Sequence, residues 1–85
     1  MAYWVYIIRC KDNSFYTGIT GNLGKRFQEH QQGKVPYTKN KRPLGIAYQE
    51  KFNTRKEAAG REKEIKGWRR EKKEKLIKNI KVQNK

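Results

Sequence analysis

Two residue types that often hold small proteins together are nearly missing from this chain. Its 85 residues include one cysteine, Cys10, and one histidine, His30. An internal disulfide is therefore excluded, and so is a tetrahedral zinc site built from cysteine and histidine. Cys10 lies in an apolar run, where we expect a small core residue. The length suits one small domain that depends on its hydrophobic core.

Long apolar runs are missing as well. The apolar segment at residues 4–8 is far too short to span a bilayer, and no signal peptide is recognisable. We therefore expect a cytoplasmic protein that does not enter a membrane. Nothing in the pattern indicates self-association, so we expect a monomer.

Acidic residues are scarce. The chain has 8 Asp and Glu against 22 Lys and Arg, which gives a formal net charge of +14. A field of this size attracts polyanions and speeds their encounter. Nucleic acid is the favoured partner, ahead of an acidic protein. An anionic membrane surface is the weakest alternative, because no segment is both basic and richly apolar.

Two aromatic and β-branched segments predict a β-hairpin. Residues 3–10 form the first strand, and their incomplete alternation indicates burial on both faces. Residues 15–20 form the second strand after a turn at residues 11–14. A loop with an odd number of residues would place Tyr6, Tyr16 and Gly18 on one face. A three-residue loop that pairs Cys10 with Tyr16 is the predicted form.

The remaining pattern predicts three helices and one more strand. Helices are expected at residues 23–32, from a Thr54–Glu57 capping box to about Gly67, and at residues 69–80. Residues 34–43 read as a mobile basic loop, and residues 44–52 as the third strand. The predicted class is α+β, a three-stranded antiparallel sheet flanked by about three helices. Residues 1–80 form a single domain, and residues 81–85 form a frayed basic tail.

Five polar or glycine positions of the hairpin and first helix suggest chemistry. The hydroxyls of Tyr6 and Tyr16 can position water, contact a phosphate or accept a proton. Gly18 within a strand indicates a bulge, or a close approach by another backbone or a ligand. Arg26 and His30 are four residues apart and share a helix face, where they can brace a phosphate and move a proton. A strand tyrosine alone is more often a core residue, and a solvated helix face is the ordinary explanation of the other two.

Glu62 is the acidic residue with an unusual position. Its helical neighbours Ala58, Ala59 and Ile65 place it beside the buried face. Its ordinary partner would be Lys66, one turn later. Its functional partner would be a divalent ion, because Mg²⁺ is often held by one or two carboxylates, water and a substrate phosphate.

Further residues are expected to bind nucleic acid. Basic side chains around an aromatic residue suit a phosphate backbone and an unstacked base. The residues assigned to this role are Gly18, Lys25, Lys34, Tyr37, Lys39, Lys41, Arg42, Lys66, Arg69 and Arg70.

These motifs resemble the GIY-YIG nuclease superfamily, in its small single-domain branch. The similar segments are residues 5–10, 15–20 and 61–68, with Arg26 and His30 between them. Trp4, Val5 and Thr17 depart from the triplets of the family at positions that affect packing more than chemistry. A family asparagine near the C-terminus has Asn79 as its candidate.

The resemblance implies a metal-dependent DNA endonuclease. One Mg²⁺ or Mn²⁺ would be held by Glu62, and a water activated by Tyr6 would attack the phosphorus. Arg26 and Tyr16 would stabilise charge, His30 would assist proton movement, and the products would carry 5′-phosphate and 3′-hydroxyl ends. Relatives often carry a separate DNA-recognition domain that is not found here, so single-stranded, nicked or branched DNA in repair or recombination is the expected substrate. A binding module with a vestigial site and a basic accessory protein of a ribonucleoprotein are the alternatives.

Overall fold

The fold is an antiparallel sheet with helices on both faces. The computed structural model describes residues 2–42 and 44–83, with side chains up to Lys78. The side chain of the candidate residue Asn79 and the tail positions 84–85 lie outside the part that it describes. The elements are β1 (Tyr3–Arg9), β2 (Phe15–Thr20), α1 (Leu23–Gln31), α2 (Pro36–Lys39), β3 (Gly45–Phe52), α3 (Arg55–Lys66) and α4 (Arg70–Gln83).

The strand β1 lies at the centre of the sheet. The order is β2-β1-β3, and both pairings are antiparallel. Val5 and Ile7 point into one core and Tyr6 and Ile8 into the other, and all four residues are at most 1% exposed. Burial of β1 on both faces is therefore confirmed, and it explains why the sequence of this strand does not alternate.

The hairpin register confirms that the three site positions share a face. Tyr6 pairs with Gly18, and Ile8 pairs with Tyr16. The predicted pairing of Cys10 with Tyr16 was wrong, because the loop has five residues rather than three. In this loop the Asp12 carboxylate accepts hydrogen bonds from the Ser14 N–H and hydroxyl at 3.0 and 2.6 Å, and Asn13 takes a left-handed φ of 71°. Because three and five are both odd, the five-residue loop still places Tyr6, Tyr16 and Gly18 on one face of the sheet.

Each face of the sheet has its own core. The α3 and α4 side is built from Val5, Ile7, Ala58, Ile65 and Ile77, together with Tyr48. On the opposite side the half-buried residues Tyr16, Leu23 and Phe27 pack against Tyr6 and Ile8. The first helix therefore lies over the hairpin face that carries the tyrosines.

Most helix ends follow the predicted signals. The Asn22 side chain accepts the Lys25 N–H at the start of α1, and Gly33 follows that helix with φ 79°. Thr54 accepts a hydrogen bond from the Glu57 N–H at 3.2 Å and caps the start of α3, as the capping box predicts. One helix among the described residues was not predicted, namely α2. It lies within residues 34–43, and Pro36 stands in its first turn.

The C-terminal helix is longer than predicted. It extends to Gln83, three residues into the expected tail. No helix within residues 2–42 or 44–83 combines the length and the apolar character needed to cross a lipid bilayer.

Candidate active site

A buried pair, Tyr6 and His30, lies at the centre of the candidate site. Tyr6 comes from β1 and His30 from the last turn of α1, and the two are 1% and 0% exposed. The Tyr6 hydroxyl is 3.1 Å from His30 Nε2. Two of the residues that the sequence singles out are therefore in contact, at a position that is almost fully buried.

The second ring nitrogen of His30 contacts a residue that sequence reasoning missed. His30 Nδ1 lies 2.8 Å from Thr38 Oγ1, and Thr38 is fully buried. Thr38 belongs to α2, within the segment that was interpreted as a mobile loop. Pro36, two positions earlier, is the one local signal that favours a helix here.

Tyr16 adds a second phenol next to His30. Its ring centroid is 5.0 Å from that of His30 and 6.3 Å from that of Tyr6. On the outer side it approaches the half-exposed ring of Tyr37 at 5.4 Å, and Lys41 Nζ is 3.9 Å from the centroid of Tyr37. An aromatic row therefore leads from the buried histidine to a basic surface.

Gly18 makes room for the Tyr6 hydroxyl. A β-carbon at this position would lie 2.5 Å from Tyr6 Oη and 2.6 Å from Cζ, and 3.1 Å from Cε2 of Tyr16. Non-bonded carbon and oxygen atoms do not approach so closely. The group that comes close to this glycine is therefore a side chain of the same protein, whereas the sequence predicted a bulge, another backbone or a ligand.

Burial keeps both groups of the central pair neutral. It raises the pKa of Tyr6, and the nearby Arg26 guanidinium opposes this only in part. Burial also lowers the pKa of His30 below 6.5, and the positive charge of Arg26 acts in the same direction while Glu29 opposes it. At neutral pH the pair is a phenol facing an uncharged imidazole, which can accept a proton.

Arg26 stands beside this pair. Interaction with Tyr6, and then with Glu29, raises the pKa of Arg26, so its guanidinium stays charged. Its Nη1 lies 3.2 Å from Glu29 Oε1 in a partly exposed ion pair. Sequence reasoning did not include Glu29, although the i, i+3 spacing from Arg26 was visible.

Glu62 belongs to α3, whose buried residues pack on the face of the sheet opposite to Tyr6, and it is held by its ordinary partner. Its Oε2 lies 3.2 Å from Lys66 Nζ, and its side chain is 19% exposed against 55% for the lysine. The carboxylate is close enough to Tyr6 for its charge to raise the pKa of that phenol. Glu62 therefore acts on the Tyr6 phenol through its charge, whereas the carboxylate in direct contact with Arg26 is Glu29.

The side chains of the site could supply only part of the coordination of a divalent ion. Within residues 2–42 and 44–83, no group of three or more His, Cys, Asp or Glu side chains is placed to hold a metal. A single half-buried carboxylate suits Mg²⁺ when water and substrate phosphate complete the coordination. Glu62 can hold an ion in this way, with water and substrate phosphate as the remaining ligands.

A polar cleft opens next to Arg26. Its volume is about 350 Å³, and it lies where β2 leads into α1. Three cations line it, namely Lys25, Arg26 and Arg55, together with Glu29. Lys25 was predicted to bind nucleic acid, but Arg55 was missed because the sequence alone does not bring the start of α3 beside α1.

The other predicted nucleic-acid-binding residues fall into two groups. Lys34, Lys39 and Arg69 are exposed. Lys41, Arg42, Lys66 and Arg70 are already engaged within the fold. Lys41 Nζ is 3.9 Å from Asp12 Oδ2, and Arg70 lies 3.6 Å from Glu74 Oε2 and 4.2 Å from the ring of Phe15.

Arg42 is the most firmly engaged of these. Its Nε donates to the Lys39 carbonyl and its Nη1 to the Gln31 carbonyl, both at 2.9 Å. These bonds join the ends of α1 and α2, so Arg42 braces the fold.

The chain is similar in sequence to known proteins. The sequence matches the GIY-YIG catalytic domain over residues 2–75. It is 49% identical to a UPF0213 protein of Staphylococcus haemolyticus over 76 residues, which cover 88% of this chain and 93% of the relative.

Two solution NMR structures are similar as well. A UPF0213 protein of Bacillus halodurans is 38% identical with a TM-score of 0.62, and 92% of this chain and 84% of that one are covered. A protein of E. faecalis is 34% identical with a TM-score of 0.68, and the covered shares are 96% and 88%.

Proposed function

Because this chain belongs to the GIY-YIG catalytic domain family, whose fold is typical of nucleases, we propose that it is a divalent-metal-dependent DNA endonuclease. The reaction is hydrolysis of a phosphodiester bond. The observation that carries the proposal is the contact of 3.1 Å between the Tyr6 hydroxyl and His30 Nε2, in the space that Gly18 leaves free. A domain that only binds DNA has no need for a shielded phenol–imidazole pair beside its basic surface.

The paired groups can activate water without forming a free phenolate. The raised pKa of Tyr6 keeps the phenol protonated at neutral pH, so it cannot act alone as a base. His30 is neutral and in contact, so Tyr6 can take a proton from the attacking water while its own proton passes to Nε2. The water oxygen then bonds to phosphorus, the bond from phosphorus to the 3′-oxygen breaks, and that oxygen takes a proton from solvent. The products are 5′-phosphate and 3′-hydroxyl ends.

Positive charge around the phosphate lowers the barrier. Arg26 interacts with Tyr6 and carries a positive charge, and its guanidinium can contact two phosphate oxygens at once. Tyr16 can donate its hydroxyl to the same group. Glu62 would hold a Mg²⁺ or Mn²⁺ ion, which supplies further positive charge against the developing negative charge. Because Glu62 is the one carboxylate assigned to the ion, the ion should bind tightly only together with DNA.

The surface next to the site favours DNA with unpaired bases. Tyr37 is 50% exposed and lies between the site and Lys41. An exposed aromatic ring among lysines suits an unstacked base and a phosphate backbone. We therefore propose single-stranded, nicked or branched DNA as the substrate, as expected for a role in repair or recombination.

The decisive experiment is a cleavage assay with a matched pair of variants. Labelled single-stranded, duplex, nicked and branched DNA is incubated with the protein and Mg²⁺, Mn²⁺ or a chelator. Glu62→Gln should abolish cutting and leave DNA binding intact. The control is Glu64→Gln, which removes the same charge two positions away on an exposed side chain paired with Arg61. Cutting by Glu62→Gln at the wild-type rate, or cutting in chelator, contradicts the proposal.

A non-catalytic DNA-binding module is the second candidate. It is favoured by the ion pair of 3.2 Å between Glu62 and Lys66, which satisfies the carboxylate without a metal. It predicts equal binding and no cutting by the wild-type protein and by both variants. Cutting of RNA alone would keep the nuclease and change the substrate.

A further inference from the structure

His30 is the only histidine of the chain, and a hydroxyl lies at each of its ring nitrogens. The Tyr6 hydroxyl is 3.1 Å from Nε2, and Thr38 Oγ1 is 2.8 Å from Nδ1. A neutral imidazole carries one N–H donor and one acceptor nitrogen, so one hydroxyl must donate and the other must accept. The choice decides whether Nε2 is free to take the proton of Tyr6.

Two features fix this choice. A phenol is a far stronger acid than an aliphatic alcohol, so Tyr6 is the better donor and Thr38 the better acceptor. The hydroxyl hydrogen of Thr38 also has an acceptor, because the Val35 carbonyl oxygen lies 3.5 Å from Oγ1. Hydrogen bonds therefore run from Tyr6 to Nε2, from Nδ1–H to Thr38, and weakly from Thr38 to Val35.

We propose that Thr38 is a positioning residue that holds His30 in the tautomer with hydrogen on Nδ1, and thereby leaves Nε2 able to accept the proton of Tyr6. This role rests on the proposed function, in which Tyr6 takes a proton from water. Thr38 touches neither the phosphate nor the water. It acts through His30, and α2 is the element that brings it there.

Thr38 also stabilises the charged form of His30. When Nε2 takes the proton, an imidazolium forms at a fully buried position. The hydrogen bond from Nδ1 to Thr38 Oγ1 then becomes charge-assisted and stronger. The other titratable groups around this ring are Tyr6 and Tyr16 on the strands and Arg26 and Glu29 on α1, and none of them contacts Nδ1 by a hydrogen bond.

A purely structural role for Thr38 makes a different prediction. If the residue only fills space, then Thr38→Val, which keeps the shape of the side chain, should leave the histidine and the reaction unchanged. If the hydroxyl matters, then Thr38→Ser should preserve both. The two variants therefore separate shape from hydrogen bonding.

The first test is the tautomer itself, measured in protein without a histidine tag. Long-range ¹H–¹⁵N correlation spectra of the ring are unambiguous, because His30 is the sole histidine. The wild-type protein and Thr38→Ser should show a protonated Nδ1 and an unprotonated Nε2. Thr38→Val should shift the ring toward the Nε2–H form. A wild-type ring with hydrogen on Nε2 overturns the proposal, and this measurement needs no variant to fold and no cleavage to occur.

The second test is cleavage kinetics on the DNA that the wild-type protein cuts. Thr38→Val should lower kcat about 10- to 100-fold, by analogy with the loss of a residue that orients a metal-binding histidine, with little change in KM. The acid limb of its pH–rate profile should also move, and Thr38→Ser should restore both. An unchanged kcat and profile in Thr38→Val overturns the role in catalysis. Absence of cleavage by the wild-type protein overturns the nuclease, while the tautomer measurement still tests the hydrogen bond.

Discussion

Gly18 shows how a single missing methyl group shapes the site. We expect Gly18→Ala to displace the Tyr6 ring or separate β1 from β2, because the new β-carbon would lie 2.5 Å from the Tyr6 oxygen. Overpacking of this kind costs about 1–3 kcal/mol of the free energy of unfolding. A displacement of about 1 Å at the reacting groups can lower the rate about 100-fold. Urea unfolding and single-turnover cleavage measure the two effects.

The matched control is the same substitution at Gly60. This residue lies within α3, and a β-carbon there meets no atom within 4 Å. Gly60→Ala should raise stability by about 0.5–1 kcal/mol, because alanine favours the helix, and should leave cleavage unchanged. Wild-type cleavage by Gly18→Ala would show that the Tyr6 hydroxyl need not occupy its present position.

Sequence patterns identified the central pair but not what surrounds it. The odd loop predicted that Tyr6, Tyr16 and Gly18 share a face, and the register confirms this. Thr38 could not be found in this way, since a buried threonine and an exposed one look alike within a polar segment. Thr17 is a similar case. It lies on the opposite face of the sheet, and its buried hydroxyl has no hydrogen-bond partner among the described residues.

At the scale of elements, the short helix α2 decides whether the site is ordered. It carries Thr38, and Arg42 ties its end to the end of α1 through bonds of 2.9 Å to two carbonyls. We expect Arg42→Ala to lower the free energy of unfolding by about 1–2 kcal/mol, since two partly exposed hydrogen bonds are lost. Cleavage should fall further than stability alone explains, because Thr38 loses its fixed place. Thermal unfolding and hydrogen exchange of α2 test this.

Lys39→Ala is the control for charge. It removes one positive charge from the same helix, and its side chain forms no hydrogen bond or ion pair with the described residues. If Lys39→Ala lowers cleavage as much as Arg42→Ala with no loss of stability in either, Arg42 acts on DNA and not as a brace.

The elements themselves differed in how well they could be predicted. Each of α1 and α3 follows a residue whose side chain caps the first turn, so a local signal was enough. The helix α2 has four residues and no side-chain cap, and its buried Thr38 contacts His30 of α1, eight positions earlier. Its prediction as a loop failed because tertiary packing outweighed local propensity.

At the scale of the whole molecule, the net charge of +14 can attract DNA in two ways. It can act as a diffuse field, or a few cations can form a path that holds the DNA backbone beside the candidate site. The cleft lined by Lys25, Arg26 and Arg55 provides a path next to the candidate site. Replacing Lys25 and Arg55 together with alanine lowers the net charge by two, to +12. If each side chain contacts one phosphate of a duplex, the slope of log K against log salt should become shallower by about 0.9 for each contact.

A variant of equal charge separates the two explanations. Lys63→Ala with Lys78→Ala also has a net charge of +12, and both lysines are exposed on α3 and α4 outside the cleft. A directed path predicts a shallower salt slope and slower cleavage for the cleft variant alone, because only its cations hold the phosphate backbone beside Arg26. A diffuse field predicts the same small loss of affinity in both variants, since only the total charge matters. Fluorescence anisotropy with labelled DNA between 50 mM and 200 mM salt, the range over which phosphate contacts change affinity most visibly, distinguishes these outcomes.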